Sequence, residues 1–324
     1  MAPSTVVFVV GAPRSGTTLV QSLLGAHEHV ATPQETDLFE RYVAPWRRAW
    51  EEQLPDDPEL WRRRRHKGLP AVLREQELDE LLAAAVARVH QAALDLEPGA
   101  TVLVDKVPSN ALHGELILRY VPHARFLHVI RDGRDVVCSL LRAGDGWGRE
   151  WAARTAVDAA VTWRGHVEAG RALARRTDAY AEVRFEELAG PDAAAALARL
   201  FSFCGVEASP EECRRIVAAH ALRPGEPPRS SIVWGGEVVQ RLGGAPQEPD
   251  GFAGEGGVGA WQRQLGARGR LVVEHKAGAL LRELGYADAG WPGVAPLRRL
   301  VALGGLAAER ARLRARRRLK EALQ

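Results

Sequence analysis

With 324 residues, 46% of them hydrophobic and 26% charged, the chain has the profile of a folded globular protein, long enough for a sizeable core. The net charge of +3 conceals a gradient: residues 298–324 hold eight arginines and Lys320 against Glu309 and Glu321, an excess of +7 that leaves the rest near −4. An acidic body excludes a general nucleic-acid binder, and no stretch approaches the roughly 20 apolar residues that a bilayer span needs.

Cys138, Cys204 and Cys213 are odd in number and lack CxxC spacing, which argues against a disulfide framework or a zinc site and for a reducing cytoplasm. The apolar opening TVVFVV (5–10) is too short for a secretory leader and runs straight into a glycine turn. Abundant alanine, arginine and glycine with scarce lysine fit a GC-rich bacterial genome. The expectation is a soluble cytoplasmic protein.

In chain order, residues 5–10 read as a short buried strand, 11–16 (GAPRSG) as a glycine loop, and 17–25 as a helix with Leu19, Leu23 and Leu24 on one face. Residues 37–95 form a mostly helical insertion. Strands follow at 101–104, 126–130 and 179–185, with helices over 110–120, 134–142, 151–176, 191–204 and 260–285. Residues 223–259 are rich in Gly and Pro and read as a flexible loop or lid. Strands alternating with helices predict an α/β fold: a P-loop-type three-layer α/β/α domain over 1–295 with a central, mostly parallel sheet. A basic helix or tail occupies 296–324.

Gly11 and Gly16 have the spacing of GxxxxGK[ST], a loop whose backbone N–H groups curl around an anion at a helix N-terminus. Thr17 stands where the lysine that reaches a triphosphate would be. The loop instead carries Arg14, flanked by Pro13, Ser15, Thr17 and Thr18, which suits a terminal oxyanion beside one phosphate. A second motif lies about 115 residues on: FLHVIRDGRDVVCSLL (126–141) ends a strand at Arg131 and places Ser139 eight residues later on a helix. A basic side chain at the carboxyl end of a parallel strand is placed to meet a ligand.

These residues carry a resemblance. VVFVVGAPRSGTTLVQSLL (6–24) resembles the 5′-phosphosulfate loop of sulfotransferases that use 3′-phosphoadenosine-5′-phosphosulfate (PAPS), in particular the tyrosylprotein and bacterial branches. The resemblance implies that Pro13, Arg14, Ser15, Gly16, Thr17 and Thr18 hold the phosphosulfate and that Arg131 and Ser139 contact the 3′-phosphate. It implies sulfuryl transfer from PAPS to an acceptor hydroxyl, leaving 3′-phosphoadenosine 5′-phosphate (PAP), with no metal. VGAWQRQL (258–265) is similar to the family's late nucleotide segment, which assigns Gly259 and Trp261 to the adenosine side; Trp261 as a core aromatic is the alternative.

Such an in-line transfer needs a base for the hydroxyl and cations where charge builds on the leaving phosphate. Glu35, in ATPQETDLF, lies 21 residues after Arg14 and matches the spacing of the catalytic glutamate in the tyrosylprotein branch. Asp37 competes for the role, and a helix cap is the alternative use of Glu35. Lys106, in LVDKVPSN, follows a strand and matches the family's lysine near the leaving group, a role Arg14 shares; a surface pair with Asp105 is the alternative. The histidines 27, 29, 113, 123 and 128 read as structural. In VRFEELAG (183–190), Phe185 stands where the family often has tyrosine.

The acceptor is expected to be a hydroxyl-bearing small molecule, sugar or lipid: a carbohydrate, glycolipid or secondary metabolite. Trp46, Trp50, Trp61, Trp147, Trp151 and Trp234 either line its cleft or anchor helices. The tail's arginines and leucines form either an amphipathic helix on the inner membrane face or a solvated one. The rival readings are a P-loop small-molecule kinase and a catalytically inactive nucleotide-binding protein. The sequence is silent on oligomeric state.

Overall fold

The structure, a computed structural model, describes residues 5–54, 59, 68–221, 230–245, 252 and 257–287. In chain order it contains β1 (Thr5–Gly11), α1 (Thr17–Leu24), β2 (Val30–Ala31), a π-helical turn at Leu38–Val43 running into α2 (Ala44–Gln53), α3 (Glu75–Leu94) and β3 (Val102–Lys106). A 3₁₀ segment, Pro108–His113, leads to α4 (Gly114–Tyr120), β4 (Arg125–Ile130), α5 (Gly133–Asp145) and α6 (Ala156–Leu173). Then come β5 (Tyr180–Arg184), α7 (Phe185–Leu188), α8 (Ala193–Cys204), α9 (Pro210–Ala219), α10 (Gly236–Leu242), α11 (Trp261–Gln264) and α12 (Ala267–Glu283).

The five strands pair in the order β2-β3-β1-β4-β5, each pair parallel. Because successive side chains of a strand point to opposite faces, the all-apolar β1 feeds two cores. Val7 and Val9 join Val104, Leu127 and Val129 under α1, α8 and α9, while Val6, Phe8 and Val10 join Leu103 and Phe126 under α2, α3 and α4. Helices on both faces give the three-layer α/β/α arrangement expected, and they explain why the strands read as continuous apolar runs rather than alternating ones.

Local signals set several boundaries. Ser209 caps α9 by accepting from the Glu212 N–H at 3.1 Å, with Pro210 opening the helix. Thr155 does the same for Asp158 at 3.1 Å, so α6 starts at Ala156 rather than at 151. Residues 108–113 are 3₁₀ because Pro108 follows directly on the strand exit, which delays the α-helix to Gly114. Four elements exceed the sequence reading: β2, two residues long; α7 and α9; and, within the stretch 223–259, α10, beside a parallel bridge between Val233 and Pro33. The tail 296–324 and the basic run 62–67 lie outside the described residues.

Contacts group the chain into two compact units, one of residues up to Arg131 with Gly165–Gly254, and one of Asp132–Arg164 with the described residues 257–287. The first holds the sheet. In the second, α5 packs against α11 and α12, Trp163 is fully buried, and Val157 meets Val272. Among the described residues no helix is long and apolar enough to cross a membrane. Cys138, Cys204 and Cys213 are all buried thiols.

His128 shows what burial in this sheet does. Its Nδ1 lies 2.8 Å from the Tyr180 hydroxyl, and burial, with Arg171 and His166 adding to it, pushes the imidazole down to about 3 from 6.5. The unfolded chain therefore binds a proton that the fold refuses. The stability due to the neutral ring is complete above pH 6.5 and is lost as pH falls toward about 3, at up to about 1.4 kcal/mol per pH unit. Urea unfolding of the wild type and His128→Leu at about pH 7 and about pH 4.5 is expected to show the steeper loss in the wild type.

Candidate active site

Parallel strands bring their carboxyl ends to one edge, so Gly11, Lys106, Arg131 and Phe185 all follow from the register of β1, β3, β4 and β5. The neighbours β1 and β3 send their next helices to opposite faces: α1 packs in the Val7–Val9 core and α4 in the Phe8 core. A crevice opens where adjacent connections diverge in this way. The loop 11–16 and Lys106 flank it.

The backbone of the loop is tightly constrained. Gly16 has φ of +94°, and a methyl there would lie 2.3 Å from the Phe185 ring, so only glycine fits before α1. Arg14 is held at φ of +72°, an uncommon conformation for a residue with a side chain. Its guanidinium donates to the Phe252 carbonyl at 2.7 Å and sits 4.8 Å over that ring. Ser15 is 1% exposed, and its Oγ has no hydrogen-bond partner. Buried hydroxyls are normally bonded, so an orphan beside a helix N-terminus fits an oxyanion acceptor for its proton.

Lys106 is the centre of the cluster. Its Nζ donates to Thr18 Oγ1 at 3.3 Å and forms an ion pair with Glu35. The lysine side chain is 2% exposed and the glutamate 40%, so the carboxylate opens to solvent while the ammonium is enclosed. Asp37, the competing carboxylate, turns away: it has φ of 50° and pairs with Arg41 at 2.8 Å. Thr36 Oγ1, not Glu35, accepts from the Leu38 N–H at 3.3 Å.

Asp105 points to the opposite face of β3 from Lys106, where it accepts from Asn110 Nδ2 at 3.2 Å and faces His90 Nε2 at 3.5 Å. This buried polar group was not foreseen; strand alternation applied to LVDK separates Asp105 from Lys106, but nothing in the sequence pairs it with His90. Arg131 Nη1 donates to the Arg14 carbonyl at 3.2 Å, and its guanidinium lies 4.3 Å over the Phe185 ring. The two motifs, far apart in sequence, thus meet at Arg14 and Arg131. Phe185 serves as a packing surface against both Gly16 and Arg131, which needs no hydroxyl.

Within the second unit, Ser139 is buried on α5. Asp135, which the sequence offered only as an alternative ion-pair partner for Arg131, accepts from the Gly259 N–H and the Trp261 N–H, each at 2.8 Å. Trp261 is buried, with Arg134 3.9 Å over its ring, and Arg134 is paired in turn with Asp132 at 2.6 Å. The second aspartate of RDGRD therefore fixes the segment 257–261. Of the tryptophans, Trp50 is a buried anchor at 3% exposure and Trp46 is 53% exposed; Trp147 and Trp151 meet at a tilt of 55° with centroids 5.3 Å apart. Trp61 lies outside the described residues. Burial pushes His113 below its ordinary value, with Glu40 and Arg48 acting in opposite senses. Among the described residues, no three His, Cys, Asp or Glu side chains gather as a metal-ion site.

A parallel α/β sheet with a glycine loop and an enclosed lysine at its switch point defines an α/β protein of the P-loop type whose loop lacks the triphosphate lysine. The chain belongs to the sulfotransferase family, whose model matches residues 6–210. Protein-tyrosine sulfotransferase 2 of Gallus gallus is 33% identical over 135 residues, covering 42% of this chain and 33% of that protein. The protein-tyrosine sulfotransferase of Drosophila melanogaster is 30% identical over 138 residues, covering 42% of this chain and 25% of that one. The matched part of the chain thus spans a quarter to a third of these curated relatives. Among solved structures, mouse sulfotransferase SULT7A1 complexed with PAP is 11% identical with a TM-score of 0.48, covering 88% of this chain and 89% of that one.

Proposed function

We propose that this protein transfers a sulfuryl group from PAPS to an acceptor hydroxyl, with Glu35 as the base. The observation that carries this reading is the contact chain Thr18–Lys106–Glu35, which joins the anion loop, a buried cation and a solvent-facing carboxylate within one crevice. PAPS supplies an activated sulfuryl group on a phosphate leaving group. The residues present fit it: Ser15 Oγ, enclosed beside the start of α1, lacks a partner, and Gly16 lets the loop turn into that helix with Phe185 packed against it.

In this mechanism Glu35 takes the proton from the acceptor hydroxyl, and Lys106 and Arg14 neutralise charge that grows on the bridging oxygen. Pro13, Ser15, Gly16, Thr17 and Thr18 line the loop that orients the group. On the sequence likeness, Arg131 and Ser139 hold the 3′-phosphate, and Gly259 and Trp261 serve the adenosine. The acceptor is a carbohydrate, glycolipid or secondary-metabolite hydroxyl. The proposed location is the cytoplasm; the basic tail, outside the described residues, is either a membrane-surface helix or a solvated one.

Calorimetric titration with PAP, set against ATP with magnesium, tests this. PAP is expected to bind without metal, and Arg131→Ala to weaken it about 10²-fold or more, the loss of one charge-assisted contact to a phosphate. Preference for ATP–Mg²⁺ would make the protein a kinase. Binding of neither would leave an inactive relative.

A further inference from the structure

Glu35 lies on a short segment between a two-residue strand and a π-helical turn, a poor platform for a base that must be held within fractions of an ångström. The structure shows what holds it. Gln21 on α1 is 0% exposed, and its Nε2 donates to the Pro33 carbonyl at 2.7 Å, two residues before Glu35. The carbonyl just before that, Thr32, accepts from the Val233 N–H at 2.9 Å. A methyl on Gly25 would lie 2.2 Å from Thr32 Cγ2 and 2.9 Å from the Ser231 carbonyl, so the end of α1 presses on the same segment.

Thr18 and Gln21 stand one turn apart on α1, and the contacts close a ring: Thr18 to Lys106, Lys106 to Glu35, along the chain back to Pro33, and Pro33 to Gln21. The other end of the amide gains nothing from burial, since Gln21 Oε1 is enclosed with no partner. An apolar side chain of similar size would avoid that orphan acceptor. The Nε2 donor is what the position gains from an amide.

We propose that Gln21 is a positioning residue for Glu35, tying the base-bearing segment to the same helix that presents the anion loop. This rests on the reading of Glu35 as the base. Gln21→Met removes the donor at nearly constant length. Turnover of PAPS to PAP and sulfate, with water as acceptor, measures transfer whatever the natural acceptor is. The variant is expected to lose about tenfold to a hundredfold in kcat while its PAP affinity stays within about twofold of wild type.

Gln21→Glu supplies the readout that a merely structural role would not move. A buried carboxyl titrates above its ordinary range and donates to Pro33 only when protonated. Its kcat is expected to fall as pH rises through that ionisation, a limb the wild type lacks. Unchanged kcat in both folded variants overturns the proposal, as does a loss of PAP affinity parallel to the loss of kcat in Gln21→Met, which would place the effect in the anion loop. Glu35→Gln run alongside separates the two claims. If it retains full kcat, the base assignment fails and this inference with it; if it is inactive while Gln21→Met is not impaired, this inference fails alone.

Discussion

Glu35→Gln is expected to lower kcat by about 10²- to 10⁴-fold, the usual contribution of a positioned general base, while PAP binds as tightly as before or more so. The amide keeps an oxygen where the Lys106 ammonium donates, so the contact survives and only the proton acceptor is lost. Removing a negative charge from the neighbourhood of an anionic ligand favours that ligand. The fold is expected to tolerate the change because Glu35 is 40% exposed, although Lys106 then has a neutral partner in place of a charged one. Calorimetry with PAP and turnover of PAPS, on the same preparation, check both halves. Full activity in this variant would sink the base assignment and return attention to water or to a base supplied with the acceptor.

Lys106→Ala is the second large effect, with an expected fall of about 10²- to 10³-fold in kcat, the cost of deleting one group that stabilises developing charge in a water-poor site. Two features of the structure set the sign of its other consequences. The lysine is enclosed and touches both the anion loop and Glu35, so its loss leaves a cavity and frees a carboxylate that already reaches solvent. Removing a buried cation whose anionic partner can hydrate is far less damaging than stranding a buried charge; thermal stability is expected to fall modestly. PAP affinity is expected to fall less than kcat, because the charge that Lys106 opposes is largest in the transition state. Lys106→Arg will not restore activity, since a planar fork does not fill the place of a compact ammonium held between Thr18 and Glu35. A loss of PAP affinity with kcat unchanged would mean that Lys106 binds the ligand uniformly and has no special part in the chemistry.

The fold was largely legible. Apolar runs at 5–10, 101–104 and 126–130 separated by helical periodicity require strands buried on both faces, and such strands form a parallel sheet covered by helices. The placement of the two motifs was legible for a related reason: a glycine loop after a strand and an arginine at a strand end are local patterns. Elements fixed by distant partners were not. β2 is two residues long and exists because it pairs with β3; Val233 bridges Pro33 across some 200 residues of chain; α10 sits in a stretch whose Gly and Pro content hid it.

The choice between carboxylates shows the limit most clearly. Glu35 and Asp37 are equivalent in composition and nearly so in spacing from Arg14. The family likeness favoured Glu35; the reversal of the backbone at Asp37 and its pair with Arg41 turn that side chain away and leave Glu35 on Lys106. Likewise the surface pair of Asp105 and Lys106, the alternative to a ligand-side lysine, does not form: the pleat points the two to opposite faces, and Asp105 faces His90 while Lys106 pairs with Glu35. By itself, then, the sequence determined the layer architecture, the anion loop and the family, because these rest on periodicity and on contiguous motifs that obey local rules. The tertiary structure alone decided which acid faces which base, that Arg131 rests against the loop at Arg14, that Asp135 ties down residues 257–261 and that Gln21 braces the segment of Glu35. These are contacts between side chains remote in sequence, and their free energies depend on burial and geometry that no local pattern encodes.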